Sequence, residues 1–170
     1  MFPFNPRALS LLILSISALW TNRRGAPWLP TPMAKVHQML QMAEVGPGDL
    51  VYDLGCGDGR VIVTAARDYG ARAVGIELDP LRWAWCQVLI TVMGLRGQVR
   101  VVYGDFFSKD LSGADVVTCY LLQRTNEELQ GKFLRQLMPG ARVVSHAFTF
   151  PGLRLRRWDG EADLHLYTMG

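Results

Sequence analysis

The segment Leu50–Arg60, Leu-Val-Tyr-Asp-Leu-Gly-Cys-Gly-Asp-Gly-Arg, constrains this chain more than any other. Leu50–Leu54 has the length and composition of a buried strand. It opens directly into three alternating glycines, Gly55, Gly57 and Gly59, and then into the amphipathic run Val61–Tyr69. A strand, a tight turn and a helix in that order cradle nucleotide-like ligands. Glycine lets the backbone approach closely, and a helix N-terminus favours negative charge.

The charges in the loop narrow the ligand. Asp53 precedes the glycines and Asp58 lies among them. A dinucleotide pyrophosphate would meet two carboxylates at close range, which is repulsive. S-adenosylmethionine carries an ammonium, a sulfonium, one carboxylate and no phosphate, so the same acids suit it. The loop therefore favours a methyl donor over NAD.

The rest of the chain continues the alternation. Gly25–Pro32 reads as a linker, with Thr31 as N-cap and Pro32 as first residue of a helix whose apolar spacing runs to Ala43. After the strand Leu50–Leu54 and the helix Val61–Tyr69, Ala73–Ile76 is a second strand. Asp79-Pro80 starts a helix to about Met93, and Val99–Tyr103 and Ala114–Tyr120 are strands three and four. Asn126–Leu137 is a helix, Ala141–His146 the fifth strand, and Arg154–Trp158 and Leu164–Thr168 supply two short final strands. Strands separated by helices predict an α/β fold: a doubly wound, mostly parallel, Rossmann-like sheet of about seven strands. At 170 residues, with 49% hydrophobic content, there is room for one such domain, assigned to residues 26–170.

In such a sheet ligands bind at the carboxyl ends of the strands. Three of those ends carry glycine or acid. The glycine loop is the first. Glu77 closes the second strand and follows Asp53 at close to the ~20-residue spacing at which an acid reaches both ribose hydroxyls. Gly104-Asp105-Phe106 follows the third, where Asp105 could accept from an adenine amino group and Phe106 could offer a flat apolar contact. An ordinary polar turn is the alternative for that last segment. The cofactor-binding set is thus Asp53, Gly55, Gly57, Gly59, Glu77, Asp105 and Phe106.

Asp53–Arg60, Gly75–Pro80 and Gly104–Phe107 together resemble the first three cofactor motifs of class I S-adenosylmethionine-dependent methyltransferases, across most of residues 46–147. Pro30-Thr31-Pro32, Val51–Gly59, Asp110–Leu122 and Pro139–His146 narrow the resemblance to the small protein-lysine N-methyltransferases of archaea and mitochondria. That resemblance implies a lysine ε-amine acceptor, with Thr31 and Tyr120 as catalytic candidates near the transfer site. Tyr120 either lines the acceptor channel or is an aromatic core residue at a strand end; Thr31 either touches substrate or caps a helix. Two departures stand out: Gln123 occupies a position where relatives often carry proline, and the aromatic-proline pattern after His146 is reduced to Phe148–Pro151.

The first 25 residues differ in character. Ala8–Trp20 carries no charge and is followed by Arg23-Arg24. As a helix it would be about 20 Å long, short of the roughly 30 Å hydrocarbon core, which points to a short membrane anchor or interfacial helix. The two arginines favour keeping the domain on the cytoplasmic side of a membrane. A helix packed on the domain, leaving the protein cytoplasmic, is the alternative. The implied partner is a protein substrate, one that a membrane anchor would suit to a membrane setting. A net charge of +3 is too small to imply nucleic acid, and Arg154, Arg156 and Arg157 read as solvated surface. Cys56, Cys86 and Cys119 read as reduced thiols, Cys56 filling space in the loop, and no spacing of His or Cys suggests a metal. A small-molecule or lipid methyltransferase, or a module that binds the donor without catalysis, are the competing readings.

Overall fold

The computed structural model describes residues 29–170. The proposed anchor, Ala8–Trp20, Arg23-Arg24 and the first half of the Gly25–Pro32 linker lie outside these residues. Among the described residues no helix is long and apolar enough to cross a membrane.

The elements run α1 (Met33–Met42), β1 (Leu50–Leu54), α2 (Arg60–Tyr69), β2 (Arg72–Glu77), α3 (Pro80–Val92), β3 (Val99–Tyr103), a 3-10 turn (Phe106–Ser108), β4 (Val116–Cys119), α4 (Gln123–Gln136), β5 (Arg142–His146), β6 (Leu155–Asp159) and β7 (Leu164–Thr168). One seven-stranded sheet has the order β3-β2-β1-β4-β5-β7-β6. β1 to β5 are parallel, and β7 runs antiparallel to both β5 and β6. The strand order reverses between β1 and β4, which opens a crevice above their carboxyl ends. The doubly wound sheet read from the sequence is the fold observed.

Strand periodicity divides the core into two layers. Val51 and Ala73 face a layer built with Leu40, Ile62 and Ile90. Tyr52, Leu54, Val74 and Ile76 face the other, with Leu129, Phe133 and Phe150. Gly75 marks where α2 comes closest to the sheet: a Cβ there would lie 2.6 Å from Cys56 Sγ and 2.9 Å from Ile62 Cδ1.

Three boundaries differ from the sequence reading in ways that bear on the site. Thr31 does not cap α1; Pro32 is the N-cap, and the Pro32 carbonyl accepts from Val36 N–H. β4 ends at Cys119, so Tyr120 stands just beyond the strand. α4 begins at Gln123, ahead of the expected Asn126, because Leu122 is its N-cap and its carbonyl accepts from Asn126 N–H. Gln123, Arg124 and Thr125 carry no apolar periodicity, so pattern alone started the helix late.

Candidate active site

The crevice holds a cavity of about 310 Å³ lined from five directions. The β1 loop contributes Asp53, Gly55, Cys56, Gly57 and Asp58; β2 and the start of α3 contribute Glu77, Leu78, Asp79 and Arg82. Asp105, Phe106 and Phe107 follow β3, while Tyr120, Leu121 and Leu122 follow β4. Leu29, Pro30 and Thr31 close the side facing α1. Both catalytic candidates and all but one of the cofactor candidates therefore meet in one cavity. The exception is Gly59. It starts α2 with φ +83° and packs under the loop, where a Cβ would lie 3.0 Å from Cys86 Sγ. Its role is close packing of α2 on α3 rather than a cavity wall.

Glu77 is buried and organises the floor. Its Oε2 accepts from Gly57 N–H and its Oε1 from Asp79 N–H, each at 2.8 Å. Arg82, from the first turn of α3, brings its Nε to 3.4 Å from Glu77 Oε1 and its Nη2 to 3.7 Å from Asp79 Oδ2. A solvent-facing charge at a helix start is excluded by this burial. Asp79 caps α3 as the sequence indicated, accepting from Leu81 and Arg82 N–H.

Asp53 stands at the end of β1 beside Thr118 of β4, whose Oγ1 donates to its Oδ1 at 2.8 Å. Burial pushes its carboxyl from the ordinary 3.8 up to about 7, with the neighbouring Glu77 and Asp58 charges adding to the rise and Thr118 opposing it. A cationic ligand would supply the missing countercharge.

Asp58 is not the bare carboxylate that the loop's spacing suggested. Arg60 grips it: Nε lies 2.9 Å from Oδ1, and Nη2 contacts Oδ2. The same guanidinium donates through Nη1 to the Thr31 carbonyl at 2.7 Å, tying the segment before α1 to the glycine loop. Asp105 Oδ1 accepts from Phe107 N–H at 2.9 Å, so the acid builds its own turn and leaves Oδ2 for a ligand. Phe106 is half-buried against the second core layer.

Sequence reasoning missed Arg60, Arg82 and Thr118. Arg82 had a signal, the three-residue spacing from Asp79 that places both on one helix face. Thr118 had none, since its meeting with Asp53 comes from the β1–β4 register.

The cavity fits a donor of the S-adenosylmethionine class. Left-handed glycines at φ +75° and +58°, positions 55 and 57, bring backbone to its wall. Buried acids await hydroxyls and cationic groups, and Phe106 offers an aromatic wall.

Known proteins agree with this cavity. Residues 53–157 match the ANTKMT methyltransferase domain. A protein-lysine N-methyltransferase of Saccharolobus islandicus is 42% identical over 151 residues, which cover 85% of this chain and 94% of that protein. The adenine nucleotide translocase lysine N-methyltransferase of Mus musculus is 31% identical over 130 residues, 76% of this chain and 56% of its own length. The chain thus spans little more than half the length of that relative. Among solved structures, an RNA methyltransferase from Salinibacter ruber in complex with S-adenosyl-L-homocysteine is 41% identical, with a TM-score of 0.80 over 83% of this chain and 94% of that one. S-adenosylmethionine is the cofactor these relationships support.

Proposed function

The chain belongs to the family of the ANTKMT methyltransferase domain, and from that premise we propose that it methylates the ε-amine of a protein lysine. It is an S-adenosylmethionine-dependent methyltransferase. The reading of the acceptor leans on the protein-lysine N-methyltransferase named above, which shares 42% identity across most of both chains. The structural observation that carries it is the single cavity with buried acids at one side and Thr31 and Tyr120 at another.

When bound, the cofactor supplies a methyl group already activated on a sulfonium. The protein's work is then alignment and exclusion of water, which contribute several kcal/mol. Glu77 would receive the ribose hydroxyls, Asp53 would face the cationic end, and Asp105 with Phe106 would hold the base. A lysine amine has an ordinary pKa near 10.4 and must arrive neutral. The apolar rim of Leu29, Phe107, Leu121 and Leu122 disfavours its charged form by desolvation. Tyr120 accepts a hydrogen bond from the amine, and Thr31 borders the same passage. No side chain need act as general base if the proton leaves to solvent before attack.

The setting proposed for this reaction is the cytoplasmic face of a membrane. Its support is the uncharged run Ala8–Trp20 with the arginines that follow.

The test uses tritiated S-adenosylmethionine with the purified protein and a lysate split into membrane and soluble fractions. Label in a protein band, removed by protease and absent with Asp53→Asn, supports the reading and names the fraction. Label removed by ribonuclease would move the acceptor to RNA, the substrate class named for the Salinibacter relative. Label extracted with lipid or confined to small molecules would move it to those classes.

A further inference from the structure

His146 closes β5 directly beside the acceptor side of the cavity and lies outside the donor-binding set. β4 and β5 pair in parallel with Cys119 opposite Ser145. The next residues across that edge are Tyr120 and His146, and their ring centroids lie 4.1 Å apart at an interplanar angle of 39°. Tyr120 lines the cavity; His146 lies behind it and is buried.

The backbone after His146 is held in an unfavourable shape. Ala147 has φ +66°, a left-handed conformation that a non-glycine residue adopts only when its surroundings impose it. Ala147 N–H donates to the Asp163 carbonyl at 2.9 Å, and Phe148 N–H reaches back to the His146 carbonyl at 2.8 Å. Asn126 of α4 donates from Nδ2 to both Ser145 Oγ and the Phe148 carbonyl, each at 3.1 Å. Three elements thus fix the position from which the imidazole projects.

The ring is not retained for a hydrogen bond at its buried nitrogen. Nδ1 of His146 is buried and has no partner among the described residues. Such a vacancy in a native site asks for an explanation. Tyr120 after β4 packs against the ring, and the charges of Lys35 of α1 and Asp163 in the β6–β7 turn act on it. Burial and the Lys35 charge both disfavour an imidazolium, with Asp163 opposing them, so the ring stays neutral at physiological pH. A neutral flat ring places no positive charge behind the passage that must admit a lysine amine.

We propose that His146 is a positioning residue for methyl transfer, its ring face holding the Tyr120 ring in the orientation that meets the acceptor amine. The role rests on the assignment of Tyr120 to the transfer site. Its effect is on Tyr120 and not on the donor, whose acids lie on β1, on β2 and after β3.

Initial rates on lysate protein at saturating tritiated donor, together with donor affinity by calorimetry, test this in five variants: His146→Leu, His146→Phe, Tyr120→Ala and the double substitutions of Tyr120→Ala with each. His146→Leu fills the space without a flat ring and should lose about tenfold in rate with unchanged donor affinity. His146→Phe restores the ring face without a titrating group and should recover most of the rate. In the Tyr120→Ala background neither substitution should cost more than about twofold further. A purely structural histidine would instead give losses that add to that of Tyr120→Ala. Full activity of His146→Leu, additive losses, or a folded His146→Phe as impaired as His146→Leu overturns the proposal while Tyr120 keeps its role. If His146→Leu does not fold, His146→Phe against the parent still decides: near-parental rate supports, a large loss overturns. Full activity of Tyr120→Ala overturns the underlying assignment of Tyr120, and this proposal with it.

Discussion

Glu77 and Gly57 are joined by a 2.8 Å hydrogen bond from the loop amide to the buried carboxylate, so an acid that lines the cavity also holds the glycine loop at its wall. Removing Glu77 therefore reaches the fold as well as the cavity. Glu77→Ala strips an acceptor from Gly57 and Asp79 amides and leaves the Arg82 guanidinium buried beside an empty space. Breaking a buried ion pair by deleting one partner costs about 3 kcal/mol or more. Urea unfolding of Glu77→Ala should show a loss of that order together with lost donor binding. Glu77→Gln retains one acceptor and should unfold closer to the parent while still binding donor more than tenfold worse. Equal stability of Glu77→Ala and parent would show that the loop does not depend on the acid.

Asp53 predicts a pH signature. Its folded-state pKa, about 7, lies above the ordinary 3.8. Between these values the native protein holds a proton that the unfolded chain has released, so this group's stabilising contribution is present at low pH and lost as pH rises through 7. Asp53→Asn keeps the acceptor for Thr118 and removes the titration. At pH 8 the variant should be more stable than the parent by about 4 kcal/mol, and at pH 5 by about 2 kcal/mol. Donor binding by the parent should release a proton near pH 6.5, because a cationic ligand favours the ionised acid. Calorimetry in buffers of differing ionisation enthalpy reads that release directly. Identical heats in all buffers would remove Asp53 from the cationic end.

Much of this cavity was legible because its lining groups sit at strand ends in consecutive units. Apolar runs bounded by glycine and acid mark those ends in Leu50–Gly59, Gly75–Asp79 and Val99–Phe106 without any knowledge of pairing. What stayed hidden depends on pairing across distance. Thr118 meets Asp53 only through the β1–β4 register, and Tyr120 meets His146 only through that of β4 and β5. Asp58 looked like a free charge because a side chain two residues away, Arg60, folds back on it, and periodicity carries no information on such a turn. Thr31 matched a capping pattern, yet its carbonyl is claimed by Arg60 and the helix begins after Pro32.

Arg60 should govern donor retention more than stability. Its pair with Asp58 is a quarter exposed, and ion pairs of that kind contribute about 1 kcal/mol or less. Its bond to the Thr31 carbonyl, however, anchors the segment that closes one side of the cavity. Arg60→Met preserves the aliphatic stem and removes both interactions. Unfolding free energy should change by less than about 1 kcal/mol, while the donor dissociation rate in stopped-flow measurements rises about fivefold. An unchanged rate would mean that the Leu29–Thr31 segment is held in place by its apolar contacts alone.

Gln123 makes the sharpest test of the acceptor side, because it is a point where the sequence departs from the pattern the resemblance implies. Its Oε1 accepts from Thr149 N–H at 3.1 Å and its Nε2 lies 3.3 Å from the Thr149 carbonyl, so one amide clasps the chain after β5 to the start of α4. Proline is well tolerated at the first position of a helix and would leave α4 intact. What Gln123→Pro removes is the clasp, at a net cost of about 1 kcal/mol for partly buried hydrogen bonds. The chain after β5 is then held to α4 by Asn126, one turn further along, and by Gln130, whose Oε1 accepts from Gly152 N–H. Gln123→Pro and Gln123→Ala should therefore bind the donor like the parent and methylate lysate protein several-fold more slowly. A parental rate in both variants would show that Asn126 and Gln130 hold the chain after β5 without the Gln123 clasp.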